Sequence, residues 1–301
     1  MRVIITGGTG LIGRALTTSL CTDHHDVVIL SRTSTVSNLP AGAHALRWDG
    51  RTTTGWEDAV EGAAAIVNLA GASISAGRWT PQRRREIRES RIQATAAILS
   101  AITAAVQKPH VLIQASAVGY YGPHGDEEIT EDSPPGNDFL ADVCKATEAI
   151  TATLNAHGVR HAVIRTGIVF SRDGGALPRL LFPFTLFVGG PIGSGRQWYP
   201  WIHIADEVGA IRFLIENSTS SGPYNLTAPQ PLTNADLAQL IGHILHRPSV
   251  FPTPAFALRL ALGDMATIVL DGQRVLPQRL LAAGYQFRFP TAEAALRDLL
   301  A

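Results

Sequence analysis

Arg2-Val3-Ile4-Ile5-Thr6-Gly7-Gly8-Thr9-Gly10-Leu11-Ile12-Gly13 decides how the rest of this chain is read. The β-branched run at its start, apolar at nearly every position, reads as a strand buried on both faces. Glycines at 7, 10 and 13 follow, and Ile12–Leu20 has helical length and periodicity. The three glycines serve different ends. Gly7 permits the tight turn, Gly10 lets the backbone approach a pyrophosphate, and Gly13 lets helix and strand pack closely. The helix N-terminus offers unpaired N–H groups and partial positive charge to the phosphates. Gly7, Thr9, Gly10, Leu11, Ile12 and Gly13 are the candidate contacts of a dinucleotide.

Working outward, Val27–Leu30, Ala64–Leu69, Val111–Ala115 and His161–Arg165 read as further doubly buried strands, with a shorter one over Ala43–Asp49. Between them Pro81–Ala105 and Leu140–His157 have helical length. Strands alternating with helices predict an α/β, Rossmann-type doubly wound parallel sheet. After Arg165, clustered glycines and prolines indicate long loops around shorter elements, including helices over Asp206–Glu216 and Asn234–His246. The expected division is a nucleotide-binding core over 1–165, joined by strands returning from the later chain. A small substrate-side lobe with a C-terminal helical tail then occupies 166–301.

Composition narrows the partners. Hydrophobic residues make up 46% of the 301, and Lys+Arg equal Asp+Glu at 25 each. No net field attracts nucleic acid or an anionic membrane, so neither is expected as a partner; the expected partner is a small-molecule substrate, with the protein a monomer or homodimer. The apolar stretch Ala176–Gly193 is broken by Arg179, Pro183, Pro191 and glycines, so no spanning helix is expected there. Two cysteines, Cys21 and Cys144, and no signal-peptide pattern suit the cytoplasm. His24-His25 lack spaced partners, so no metal site is expected.

The end of the second strand selects the dinucleotide. An NAD site usually carries Asp or Glu there for the ribose hydroxyls. This chain has Ser31-Arg32, a hydroxyl and a guanidinium suited to the 2′-phosphate of NADP(H).

With these residues go Val67-Asn68-Leu69-Ala70-Gly71, Arg78-Trp79, Ser90-Arg91-Ile92, Ala117–Gly122, Gly189–Gly195, Pro200–His203, Tyr224-Asn225 and Gly272–Pro277. Together they resemble the extended short-chain dehydrogenase/reductases, and within them the nucleoside-diphosphate-sugar-epimerase-like subgroup, over nearly the whole chain. The resemblance implies further cofactor contacts. Leu69 and Ala70 would meet the ribose and pyrophosphate through their backbone, Glu86 and Arg91 would touch NADP, and Val169 would lie beside the nicotinamide. It also implies an NADP-binding epimerase or reductase acting on a hydroxyl or carbonyl of a small polar molecule, sugar nucleotides included. The alternative is an NADPH-binding protein with a structural or sensing role and little turnover.

The superfamily's chemistry uses a hydroxyl residue, a tyrosine, and a lysine four residues later. Ser116 ends the fifth strand near the hydroxyl position, but Ala141, not tyrosine, precedes Lys145 by four, and Thr147-Glu148 stands where the subgroup reads Trp-Glu. The Tyr-x-x-x-Lys signature is therefore incomplete. Substitutes for the missing phenol are Tyr121 first, Tyr120 second, and His203 as a non-phenolic acid/base with a near-neutral ordinary pKa.

Overall fold

Val3 and Ile5 pack on one side of the central sheet and Ile4 on the other, and all three are wholly buried. The computed structural model describes residues 1–33 and 35–300; Ser34 and the last residue of the tail, Ala301, lie outside the description. Seven parallel strands form the sheet: β1 (Arg2–Thr6), β2 (Asp26–Ser31), β3 (Ala43–Arg47), β4 (Ala65–Asn68), β5 (Val111–Ala117), β6 (Arg160–Thr166) and β7 (Gly222–Leu226). Their spatial order is β3-β2-β1-β4-β5-β6-β7. The order reverses between β1 and β4, which opens a crevice at the C-terminal edge where ligands of such sheets bind.

Helices cover both faces, as the continuous apolar strands require. Helix α1 (Leu11–Thr22) and α5 (Ile204–Glu216) bury Leu16, Leu20, Ile211 and Leu214 against one face. On the other, α2 (Pro81–Ala104) buries Ala94, Ile98, Ala101 and Ile102, and α3 (Phe139–Thr151) packs beside it. Local chemistry sets their starts. Thr80 accepts the Arg83 N–H with Pro81 in the first turn, and Asp138 accepts the Ala141 N–H at 2.8 Å. Helix α3 stops short of the predicted His157 at Thr151, after which a single turn over Leu154–His157 ends at Gly158 with φ +75°. Thr147 and Thr151 turn their hydroxyls back onto the Val143 and Glu148 carbonyls, a bond that loosens helices.

The later chain folds over the sheet's C-terminal edge. Its α4 (Leu177–Thr185) and α6 (Asn234–Leu245) share an apolar cluster with Phe170 and Trp201, and Trp201–His203 pairs in parallel with Ile168–Phe170. Gly167 sits so close to Pro200 and Thr227 that any side chain there would collide. The tail is tied on at Asp206, buried in α5, which accepts the Arg288 and Phe289 N–H groups at 2.7 and 2.9 Å.

Candidate active site

Thr6 organises the first half of the site from below. Its hydroxyl donates to Asn68 Oδ1 at 2.6 Å and accepts the N–H groups of Leu69 and Ala70, each at 3.1 Å. That fixes the Leu69–Ala70 backbone against Gly7, where an added Cβ would lie 2.7 Å from the Leu69 oxygen. Gly7 also has φ +67°, and a Cβ on Gly13 would strike Gly7 O and come within 2.6 Å of Gly8 Cα. Gly10 differs. It caps α1 with no side-chain hydrogen bond, it is exposed, and a Cβ there would meet only Gly7 O at 3.2 Å. The turn is thus a cradle closed beneath and open above, with Thr9 exposed at its lip and α1's first N–H groups facing out.

The flanking candidates gather around it. Ser31 ends β2, accepting the Thr33 N–H at 3.3 Å, and Arg32 is exposed with no ion pair to any described residue. Arg91 does not pair with Glu89. It donates to the Ala72 and Ile87 carbonyls, both at 3.0 Å, and packs against Gly71, so a half-buried cation without a carboxylate partner among the described residues lies behind the Ala70 loop. Burial lowers its pKa from the usual arginine range. Glu86 is exposed and holds Arg83 at 2.6 Å, while Arg83 also donates to the Ser73 carbonyl of the same loop. Leu11 and Val169 O both border Gly175, which brings the Ile168–Phe170 strand to the cradle's far end.

At the C-terminal end of β5, Ser116 lies two residues beyond Gln114, which is level with Asn68 and Thr6. Its hydroxyl donates to Glu148 Oε1 at 2.6 Å. Arg165 grips the same carboxylate with two bonds, Nε to Oε1 at 3.1 Å and Nη2 to Oε2 at 2.9 Å. Both are screened from water, the side chains being 14% and 5% exposed, so this is a charge pair that must stay made. Arg165 Nη1 also donates to the Tyr121 hydroxyl at 3.0 Å, and Tyr121 in turn donates to Asn225 Oδ1 at 2.6 Å.

These contacts separate the candidate acids and bases. Tyr121, the first choice from sequence, is 1% exposed with its hydroxyl enclosed between two partners. Burial pushes its pKa up to about 12 against the opposing pull of Arg165. It is a strut of the network. Tyr120 is the accessible phenol: it is half-buried, its hydroxyl bonds to no described residue, and its ring lies flat over Arg165 with the guanidinium carbon 3.4 Å from the ring centre. His203 is a tie elsewhere. Its Nδ1 accepts the Ala205 N–H at 3.0 Å to cap α5, its ring lies 4.0 Å from that of Phe289, and Nε2 is 3.3 Å from Asp298. Burial lowers its pKa from the ordinary histidine value, against the opposing pull of Asp298 and Asp206.

Lys145 points away, to Asp142 at 2.8 Å and the Gly136 carbonyl at 3.2 Å. What α3 brings to the end of β5 is Cys144 and Glu148: the thiol lies 3.9 Å from the Ala117 carbonyl, the carboxylate on Ser116. Burial pushes the thiol up to about 11. Cys144-x-x-x-Glu148 keeps the four-residue spacing that one helix face requires, the one sequence signal that could have found them. Across the sheet, Thr166 donates to Glu207 Oε1 at 2.8 Å, and burial pushes that wholly enclosed carboxyl up to about 8.

Residues 3–227 match the NAD dependent epimerase/dehydratase family, and residues 253–299 match a domain of unknown function, DUF1731. The Arabidopsis thaliana protein "Epimerase family protein SDR39U1 homolog, chloroplastic" is 40% identical over 309 residues, covering 100% of this chain and 87% of its own. The crystal structure of human epimerase family protein SDR39U1 (isoform 2) with NADPH is 37% identical at a TM-score of 0.89, covering 99% of each chain. A nucleoside-diphosphate sugar epimerase from Corynebacterium glutamicum, 35% identical at a TM-score of 0.79, covers all of this chain and 58% of that one. The chain belongs to the NAD dependent epimerase/dehydratase family.

Proposed function

We propose that this protein is an NADP(H)-dependent oxidoreductase of the epimerase or reductase type, acting on a hydroxyl or carbonyl of a small polar molecule, with sugar nucleotides the class to test first. One observation carries the reading: an open, uncapped helix N-terminus over a cradle where added Cβ atoms at Gly7 and Gly13 would collide, flanked by Arg32 without an ion-pair partner among the described residues. Gly7, Thr9, Gly10, Leu11, Ile12 and Gly13 would hold the pyrophosphate, with Leu69, Ala70 and Arg91 behind it. Ser31 and Arg32 would take the 2′-phosphate, Glu86 would touch the NADP, and Val169 would seat the nicotinamide. The core over 1–165, with strands returning from the later chain, would hold the nucleotide, and the lobe and helical tail over 166–301 would lie on the substrate side. The similarity to an NADPH-bound human protein supports the cofactor, and a nucleoside-diphosphate sugar epimerase relative supports the substrate class.

When bound, the nicotinamide supplies hydride exchange at C4. The chain's own residues manage the oxygen. With its own proton directed to Glu148, Ser116 accepts a hydrogen bond from a substrate hydroxyl; turned from Glu148, the same proton is donated to a substrate carbonyl. Arg165 keeps that carboxylate in one orientation and lies under Tyr120, whose accessible hydroxyl is the available proton carrier. No described helix is long and apolar enough to cross a membrane, and two free, buried cysteines suit a reducing compartment such as the cytoplasm.

Fluorescence titration tests the cofactor. NADPH should bind more tightly than NADH, and Arg32→Asp should cancel or reverse the preference by setting a carboxylate against the phosphate. Equal affinities in the unaltered protein would overturn the NADP(H) assignment. Screening sugar nucleotides and small carbonyl compounds for NADPH oxidation, and for epimers by NMR, tests the reaction. Tight NADPH binding without turnover across that screen would overturn the enzymatic part.

A further inference from the structure

Arg78 and Trp79 stand out in the sequence but take no part in the cradle or in the Ser116 network. Trp79 Nε1 donates to the Ile74 carbonyl at 2.8 Å and its ring meets Phe139 edge-on, which ties the stretch after Ala70 to the start of α3. Arg78 reaches instead to the later chain. Its Nε donates to the Ala261 carbonyl at 2.8 Å and its Nη2 to the Leu260 carbonyl. Both carbonyls lie in the last turn of α7 (Ala255–Leu262), where a helix leaves carbonyls unpaired and carries partial negative charge.

The helix that Arg78 holds is loosely seated. It buries no side chain, and Phe256 and Leu260, four apart and so on one face, are 73% and 77% exposed. A helix with so few buried contacts opens at low free-energy cost. Its two ends differ from its middle. Before it, Thr253 accepts the Gly193 N–H and donates its own to the Pro191 carbonyl, each at 2.9 Å. After it, Gly263 has φ +61° and open space around its α-carbon, a joint between α7 and α8 (Thr267–Leu270). The other bond near this joint, Arg84 to Asp264 at 2.6 Å, is exposed and contributes little.

The helix bridges the core and the lobe. Ala255 at its start lies beside Gly193 of the lobe, and its last turn rests on Arg78, in the loop that continues from Leu69 and Ala70. Beneath the joint the chain is anchored. Met265 and Ile268 join one apolar cluster with Ile74, Phe139 and Leu140, and Gln197 Nε2 donates to the Val269 carbonyl at 3.0 Å. Leu140 in turn borders Gly119, next to Tyr120. A loose helix on a fixed sill thus runs between the loops that follow β4 and β5 and the Gly189–Gly195 stretch.

We propose that α7 is a gate across the opening between core and lobe, hinged at Thr253 and Gly263, and that Arg78 is its latch. Arg78 is a positioning residue: it holds the helix shut, so that water is kept from the reacting end, and releases it for exchange of substrate and product. That role rests on the oxidoreductase reading above, whereas the latch itself rests on the geometry of Arg78 and α7.

Millisecond hydrogen–deuterium exchange on the full chain, without substrate, tests the latch. In the unaltered protein the α7 amides should exchange faster than those of α5 and α6. Arg78→Ala should speed exchange in α7 by ~10-fold or more, with melting and the protection of α5, α6 and the sheet unchanged. Arg78→Lys, which can still donate to the same carbonyls, should recover most of the protection, and Arg85→Ala, at an exposed arginine of α2, should change nothing. Acrylamide quenching of bound NADPH fluorescence tests the covering of the site, and it should rise by ~3-fold or more in Arg78→Ala. The proposal is overturned if α7 is as protected as α5, if Arg78→Ala leaves its exchange or the quenching unchanged, or if the lost protection spreads evenly over the sheet. An unaltered chain that binds no NADPH would overturn the cofactor reading alone, and the exchange rates would still decide the latch.

Discussion

Ser116 Oγ and Glu148 Oε1 are 2.6 Å apart, a charge-assisted bond that joins the open end of β5 to the buried Arg165. The carboxylate is the only charge compensating that guanidinium among the described residues. Glu148→Gln keeps the shape and removes the charge, leaving Arg165 buried and unpaired. Stability should fall by ~3–5 kcal/mol in urea unfolding, the usual cost of breaking a buried pair from one side. A loss below ~1 kcal/mol would mean that water or a rearranged partner satisfies Arg165.

The two adjacent tyrosines should behave oppositely. Tyr121→Phe leaves Asn225 Oδ1 and Arg165 Nη1 each short of a partner in an enclosed space, which costs ~1–3 kcal/mol. Tyr120→Phe removes a hydroxyl with no described partner and should leave stability unchanged, while cutting turnover ~10²–10⁴-fold on any compound the screen yields. Equal stabilities for the two variants, or full activity in Tyr120→Phe, would reverse the assignment of strut and proton carrier.

Glycines 10 and 13 separate binding from folding. Gly10→Val meets no backbone closer than Gly7 O at 3.2 Å, so the protein should fold with native circular dichroism yet lose NADPH binding. Gly13→Val forces a side chain into Gly7 and Gly8 and should unfold or aggregate. Normal NADPH affinity in Gly10→Val would show that the cradle is not the phosphate site.

Glu207 makes stability depend on pH. Unfolded, it loses its proton near the ordinary 4.5; folded, burial holds the proton up to about pH 8. Between those values the folded chain carries a proton that the unfolded chain lacks. Its contribution is therefore fully present below about pH 4 and is lost as pH rises through 8. Glu207→Gln, which needs no proton to stay neutral, should be more stable than the unaltered protein at pH 9 and nearly equal to it at pH 4. Thermal melts across that range will show it, and parallel curves for the two proteins would count against a protonated Glu207.

The sheet was legible from residues 2–13 and the strands that follow, because a strand buried on both faces and a glycine turn are local patterns: each apolar run and each glycine states its own requirement. The role proposed for Ser31-Arg32 rests on a signal of the same local kind, a departure at a position whose neighbours define it. The proposed catalytic end was not legible. Ser116, Glu148, Arg165, Tyr121 and Asn225 come from two parallel strands, a helix, a loop turn and a returning strand, and only the register of β5, β6 and β7 sets them in contact. Nothing local distinguishes Tyr120 from Tyr121; one residue of rotation along a single turn turns one phenol inward, between Arg165 and Asn225, and leaves the other lying over the guanidinium. His203 likewise reads as a free imidazole until the tail returns to lay Phe289 and Asp298 against it. Periodicity and turn chemistry act over a few residues and survive in the sequence. Burial, and with it the shift of every pKa that matters here, depends on which distant segments close over a group, and only the folded chain decides that.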